Sequence, residues 1–267
     1  MHFIPKYSYL SLFIRPDYYF FLVPPGWDTF AAENIKDITM KTRIAALGDS
    51  LTKGVVLTDR NRYSVLDNNY MDIVGRELDL HIDNYGKFGC TVNYGSNVID
   101  RHSDDIAESE YTFIEYGGND CDFDWLSIAQ APEEQHNPKT SLDCFKRQIK
   151  QIVERVQALG SKPVLISLPP ILSNLYFSFF SKGMSEEQKS NITSWLGGDT
   201  GIISRWHESY NRALFDVARH TQTPIIDITT PFDTFRGPLE SLYCADGIHP
   251  NAQGHKLIAS SIVNMYL

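Results

Sequence analysis

The sequence predicts an α/β fold built on a parallel β-sheet. Five short apolar runs, the pattern expected of buried strands, alternate with segments whose apolar residues recur at helical spacing. Strands that are separated by helices favour right-handed crossovers and a single parallel sheet. Small polar residues and glycines follow several of these runs, at the sheet edge where open α/β folds bind their ligands.

The predicted elements begin with a strand at Ile44–Leu47. The later predicted strands are His81–Tyr85, Tyr111–Tyr116, Pro163–Leu168 and Pro224–Ile228. The predicted helices are Tyr70–Leu80, Asn93–Ala107, Ser141–Leu159, Ile202–Arg219 and Pro250–Tyr266. Ser141–Leu159 has the clearest pattern, because its apolar residues share one face and Gly160 follows as a stop. The irregular, aromatic-rich stretch from Pro170 to Gly201 predicts either a lid or pocket wall, or a short helical pair covering the core.

Residues 1–39 differ in composition from the rest of the chain. His2–Pro25 is rich in aromatic residues and broken by prolines, and its longest apolar run, Tyr18–Val23, is too short to span a membrane. It also lacks the pattern of a signal peptide. Two interpretations stay open: an arm that packs on the domain or on a partner subunit, or residues ahead of a natural start at Met40. We therefore divide the chain into a peripheral N-terminal extension, residues 1–39, and one α/β domain, residues 40–267.

Composition excludes several classes of partner. The formal net charge of −9, without a clustered run of Lys and Arg, argues against nucleic acid. The four cysteines show neither a close pair nor zinc-ligand spacing, so we predict free thiols and a cytoplasmic protein. Asp120, Asp122 and Asp124 alternate, but they lack the glycine and the twelfth-position glutamate of a calcium loop. We expect no metal and no organic cofactor.

A serine directly after the first strand is the candidate nucleophile. Ser50 follows Gly48-Asp49 at the strand's carboxyl end. A serine hydroxyl needs a base to remove its proton and a third group to orient that base. His249 is the candidate base, and Asp246, three residues earlier in the same loop, is the candidate orienting carboxylate.

Ester hydrolysis also needs donors for the oxyanion that forms during the reaction. The candidates are the backbone N–H of Ser50, the backbone N–H of Gly89 and the side-chain amide of Asn119, each after a different predicted strand. Gly86 competes with Gly89 for this role, although the spacing from the strand favours Gly89. Turn formation alone also explains a glycine and an asparagine at these positions.

Taken together, these motifs resemble the four blocks of the SGNH hydrolases, the GDSL esterase and lipase family. The blocks are Gly48-Asp49-Ser50-Leu51, Gly89, Gly117-Gly118-Asn119-Asp120 and Asp246-Gly247-Ile248-His249-Pro250, in the family's order and within residues 42–267. The resemblance implies a flavodoxin-like, three-layer α/β/α domain with a five-stranded parallel sheet. It also implies a triad of Ser50, His249 and Asp246, with Ser50, Gly89 and Asn119 forming the oxyanion hole. The sequence departs from the family pattern after Gly89, where Cys90-Thr91-Val92 replaces the usual small polar run.

The predicted function is therefore that of a serine esterase without cofactor. Its expected substrate is a small-molecule ester with a short acyl group, such as an O-acetyl group on a carbohydrate. The alternatives are a lysophospholipase, a thioesterase or an acyltransferase using the same site. A flavodoxin-like binding protein with vestigial motifs is the non-enzyme alternative, although neither Ser50, His249 nor Asp246 has been lost.

Overall fold

The structure, a computed structural model, describes residues 42–266. The predicted N-terminal extension lies outside these residues. The described part of the chain is an α/β fold, as the sequence predicts. None of its helices is long and apolar enough to cross a bilayer.

The central sheet consists of five parallel strands, which confirms the prediction. They are β1 (Arg43–Gly48), β4 (His81–Asn84), β5 (Tyr111–Glu115), β6 (Lys162–Ile166) and β7 (Ile225–Ile226), in the spatial order β4-β1-β5-β6-β7. When the five strands are numbered along the chain, this is the flavodoxin-like order 2-1-3-4-5. The strands that follow β1 are added on one side of it first and then on the other, so the strand order reverses between β1 and β5. The crevice beyond the carboxyl ends of these two strands is therefore the expected ligand site.

Eleven α-helices connect the strands within residues 42–266. They are α1 (Ser50–Lys53), α2 (Tyr70–Glu77), α3 (Val92–Arg101), α4 (Ser103–Ala107), α5 (Trp125–Gln130), α6 (Leu142–Ala158), α7 (Ser173–Phe180), α8 (Glu186–Trp195), α9 (Ile202–Thr221), α10 (Thr230–Asp233) and α11 (Ala252–Tyr266). A 3₁₀ turn at Leu239–Leu242 precedes the loop before α11.

The core lies on both faces of the sheet. Ala45, Leu47 and Ile114 point to one face, where they join the buried residues of α3, α4, α6 and α9. Because successive strand residues point to opposite faces, Ala46 and Phe113 lie on the other face. The helices α2 and α11 meet where the backbone N–H of Tyr70 donates to His255 Nδ1 at 3.3 Å. His255 is fully buried and its ring stacks on Tyr70, so this histidine serves packing.

Several predicted boundaries were wrong. The helix predicted at Asn93–Ala107 is two helices, α3 and α4, because His102 leaves the helical conformation with φ −126°. The last helix starts at Ala252 rather than at Pro250, since Pro250 forms a bridge with Tyr243. The stretch between Pro170 and Gly201, by contrast, holds two short helices, α7 and α8, as one of its two interpretations expected.

The short helices α1, α5 and α10 had no counterpart in the prediction, and neither did a hairpin. An antiparallel hairpin of β2 (Val55–Leu57) and β3 (Tyr63–Val65) follows α1. Each of its strands is only three residues long, which is too short to show a hydrophobic periodicity. This hairpin matters because Tyr63 reaches the candidate site.

Candidate active site

The turn after β1 holds Ser50 in a tight, largely buried position. Asp49 caps α1 by accepting the N–H of Leu51 at 2.9 Å, and Ser50, the first residue of that helix, is 8% exposed. A Cβ on Gly48 would lie 2.0 Å from Thr52 Oγ1 and 2.8 Å from the Glu115 carbonyl oxygen. Only glycine fits there, so the strand-to-helix turn positions Ser50 against the end of β5.

His249 lies within hydrogen-bond distance of Ser50. Its Nε2 is 3.0 Å from Ser50 Oγ, and its Nδ1 is 2.7 Å from Asp246 Oδ2. Asp246 is fully buried, and its other oxygen accepts the backbone N–H groups of Ile248 and His249 at 3.2 and 3.1 Å. The arrangement leaves Nε2 of the ring facing the hydroxyl and Nδ1 facing the carboxylate.

The surroundings of Asp246 favour its charged form. Burial alone would raise the pKa of this carboxyl, but the hydrogen bond and the charge interaction with His249 oppose that effect. Together with the two backbone N–H groups they hold the pKa below its ordinary value. A carboxylate that stays ionised can stabilise a protonated imidazole beside it.

The loop that carries Asp246 and His249 is closed on itself. The N–H of Cys244 donates to the carbonyl oxygen of His249 at 2.8 Å, and Tyr243 pairs with Pro250 in an antiparallel bridge. Gly247 makes the turn between them in a left-handed conformation, φ +71°. The two candidate residues are thus oriented locally, before any contact with Ser50.

The candidate oxyanion donors surround the same cavity. Asn119 Nδ2 donates to Asp49 Oδ2 at 3.0 Å, which fixes the amide and leaves its second hydrogen for a ligand. Gly89 lines the cavity together with Ser50 and Asn119, whereas Gly86 does not. The N–H of Gly86 donates to Asn84 Oδ1 at 2.9 Å. Of the two glycines that the sequence leaves open, Gly89 is therefore the one at the site.

Two carboxyl groups lie buried beneath the nucleophile turn. Glu115 Oε2 accepts the hydroxyl of Thr52 at 2.9 Å, while Glu115 Oε1 is buried without a hydrogen-bond partner. Burial raises the pKa of Asp49, and burial with the nearby Asp49 charge raises that of Glu115 well above its ordinary value. Like charges at close range oppose each other's ionisation, so the Asp49 charge favours the protonated form of Glu115.

The cavity has a volume of about 350 Å³ and largely aromatic walls. One wall comes from the stretch before α9, through Ile171, Tyr176 and Trp195. This agrees with the wall interpretation of the segment from Pro170 to Gly201. On the opposite side, the rings of Tyr63 and Phe88 pack against the His249 ring, with centroids 5.3 and 6.1 Å away.

Sequence reasoning missed most of these wall residues. Tyr63 belongs to the unrecognised hairpin, and Trp206 and His207 belong to α9, which reads as an ordinary core helix. Asp122 was considered only as a calcium ligand. It accepts Trp125 Nε1 at 2.9 Å and Tyr176 Oη at 2.7 Å, and it forms an ion pair with Lys139.

A second hollow, of about 540 Å³, lies beside α10 and α11. Pro231, Phe235 and Leu257 line it, and none of the predicted site residues does. The chemistry that the sequence predicts therefore belongs to the aromatic cavity.

Comparison with known proteins gives a consistent result. The sequence model of the GDSL-like lipase/acylhydrolase family matches residues 46–257. Two Bacillus subtilis proteins are each 23% identical to the chain. The uncharacterized protein YpmR matches over 82% of this chain and 79% of its own length, and the uncharacterized lipoprotein YqeF over 69% of each.

Solved structures share the fold. A lipase/acylhydrolase from Enterococcus faecalis superposes with a TM-score of 0.58 and 17% identity, covering 84% of this chain and 94% of that one. The acetylxylan esterase Axe2 from Geobacillus stearothermophilus gives 0.55 and 19%, covering 86% and 96%. With the family model spanning most of the domain, these matches establish that the chain belongs to the GDSL-like lipase/acylhydrolase family of SGNH hydrolases.

Proposed function

We propose that the protein is a serine esterase that hydrolyses small carboxylic esters through an acyl-enzyme intermediate. The observation that carries the proposal is the chain of two hydrogen-bond contacts, Ser50 Oγ to His249 Nε2 at 3.0 Å and His249 Nδ1 to Asp246 at 2.7 Å. A nucleophile, a base and an orienting carboxylate at such distances are the requirements of acyl transfer from a serine.

In the first half of the reaction, Ser50 Oγ attacks the ester carbonyl carbon. His249 Nε2 takes the hydroxyl proton, and Asp246 holds the ring and stabilises its positive charge. The carbonyl oxygen becomes an oxyanion, which the N–H groups of Ser50 and Gly89 and the amide of Asn119 receive. When the intermediate collapses, His249 gives its proton to the leaving alcohol and the acyl group stays on Ser50.

In the second half, water replaces the alcohol. His249 removes a proton from the water, whose oxygen attacks the acyl carbon, and the second oxyanion occupies the same donors. Collapse releases the carboxylic acid, and His249 returns the proton to Ser50 Oγ. The cycle needs only the residues of the chain and water.

The walls of the cavity support a short acyl group. Phe180 stacks on Trp125 with centroids 4.6 Å apart, and Phe177 packs against Phe180, so α7 uses these rings within the protein. The acetylxylan esterase Axe2, which shares the fold, is itself named for acetyl ester hydrolysis.

The test compares wild type with Ser50→Ala on 4-nitrophenyl acetate, butyrate and octanoate. We expect the substitution to lower kcat/KM by about a thousand-fold or more, and we expect acetate to be the best substrate. Ser194→Ala is the matched control, because Ser194 is exposed on α8 and does not line the cavity. A serine-directed fluorophosphonate should label wild type at Ser50. Failure of wild type both to turn over an ester and to take the label would reject the proposal.

A further inference from the structure

His207 stands out because it lines the cavity without a partner. It lies on α9 and is 5% exposed, yet its ring makes no hydrogen bond to any residue in the described part of the chain. The polar side chains of two nearby residues on the same helix do form hydrogen bonds. Trp206 Nε1 donates to the Cys121 carbonyl oxygen at 3.0 Å, and Asn211 Oδ1 accepts the Leu168 N–H at 2.9 Å.

Such a group is costly unless something in the cavity pairs with it. Buried polar side chains are almost always hydrogen-bonded, and an unpaired one destabilises the protein. Burial lowers the pKa of His207 from 6.5 to about 4, so the ring is neutral in neutral solution. A neutral imidazole offers one N–H donor and one lone-pair acceptor.

A hydroxyl group matches this pair of functions, because it also donates one hydrogen and accepts another. A hydrocarbon group would instead exclude water from His207 without offering the ring nitrogens a hydrogen bond in its place. The same cavity has flat aromatic surfaces. Phe123, Trp195 and Trp206 line it, and their rings offer apolar surface against which a six-membered ring can pack.

We propose that His207 binds a hydroxyl group of the substrate's alcohol part, and that the substrate is an ester of a polyhydroxylated ring alcohol, a sugar. This inference rests on the proposed esterase function and adds the chemical class of the leaving group. His207 takes no part in the proton transfers. It is a binding residue that selects hydroxylated alcohols over hydrocarbon alcohols of the same shape.

The test uses two acetates of matched shape. One is methyl glucopyranoside acetylated on its primary hydroxyl, and the other is cyclohexylmethyl acetate, which has the six-membered ring but no free hydroxyl. The variants of the full chain are His207→Leu, which keeps an apolar volume, and His207→Gln, which keeps a donor and an acceptor. Thermal unfolding of each variant checks that it is folded.

We expect His207→Leu to lower the ratio of kcat/KM for the sugar ester to that for the cyclohexyl ester by about 10- to 100-fold. The change should come mainly from KM, and His207→Gln should restore much of the ratio. An unchanged ratio in His207→Leu, or equal losses in the two variants, would overturn the inference while leaving esterase activity in place. If wild type hydrolyses no ester at all, the proposed function falls and the inference falls with it.

A binding measurement covers the case in which His207→Leu does not fold. Tryptophan fluorescence of wild type should report binding of methyl glucopyranoside, because Trp195 and Trp206 line the cavity. Cyclohexylmethanol should bind at least tenfold more weakly. Equal or tighter binding of cyclohexylmethanol would contradict a hydroxyl-selective site.

Discussion

Asp120 ties together the two loops that carry Gly89 and Asn119, the proposed oxyanion donors. It follows Asn119, is fully buried, and both its carboxylate oxygens lie 3.1 Å from the backbone N of Val92 at the start of α3. The segment from Gly89 to Val92 is thereby fastened to the end of β5. Burial raises the pKa of Asp120 from 3.8 to about 7, despite the opposing hydrogen bonds.

This shift makes stability depend on pH. Between pH 3.8 and about 7 the folded state binds the proton that the unfolded chain has lost, so stability falls as pH rises. At 1.36 kcal/mol per pKa unit, the shift costs the folded protein about 2 kcal/mol at pH 5 and about 4 kcal/mol at pH 8. The predicted loss of stability from this one carboxyl is therefore about 2 kcal/mol across that range.

Asp120→Asn keeps an oxygen for the Val92 N–H and removes the titration. Urea unfolding, followed by tryptophan fluorescence between pH 5 and 8, should show the variant gaining about 2 kcal/mol of stability relative to wild type as pH rises. Asp199→Asn is the control. Its pKa is held below the ordinary value by the Arg205 side chain and the Gly201 N–H, so Asp199 is ionised in both states throughout this range. Parallel stability curves for wild type and Asp120→Asn would refute the reasoning.

Two further predictions concern the loop of the base. Gly247→Ala should destabilise the protein by well over the about 1 kcal/mol expected for Gly89→Ala. Both glycines have φ near +70°, but a Cβ on Gly247 would lie 2.8 Å from the Leu172 carbonyl oxygen, while nothing lies within 4 Å of one on Gly89. Equal shifts in Tm would contradict this. Asp246→Asn should lower kcat about a thousand-fold or more with little change in Tm, since an amide neither orients His249 in the same tautomer nor stabilises its charge. A loss of less than tenfold would remove Asp246 from the proposed mechanism.

The sequence located well those elements whose position follows from the hydrophobic pattern of their own residues. Helix α6 was predicted at Ser141–Leu159 and observed at Leu142–Ala158, because one face of it is continuously apolar. The errors lie where tertiary contacts decide. The strand predicted at Pro224–Ile228 is reduced to Ile225–Ile226 at the edge of the sheet, where only one neighbour can extend it.

Some residues of the candidate site could likewise be selected from the sequence, and others could not. Residue type and position after a strand were enough to select Ser50, Gly89 and Asn119, which the structure brings around one cavity. Glu115 and His207 could not be selected, since a polar residue at a strand end or within a helix has no distinguishing pattern. Glu115 stands out through a buried oxygen without a partner, and His207 through its place in the cavity wall, and only the folded chain reveals either.

The closed loop at residues 243–250 makes one contact of the candidate triad local in sequence, while the other is long-range. Asp246 and His249 are three positions apart and are held together by that loop, whereas Ser50 and His249 are 199 positions apart. The contact between His249 and Asp246 can thus survive a partial opening of the molecule that breaks the contact between His249 and Ser50. Enzymatic turnover then reports on docking of the C-terminal segment onto the first strand. Enzymatic activity should therefore be lost at a lower denaturant concentration than the secondary structure.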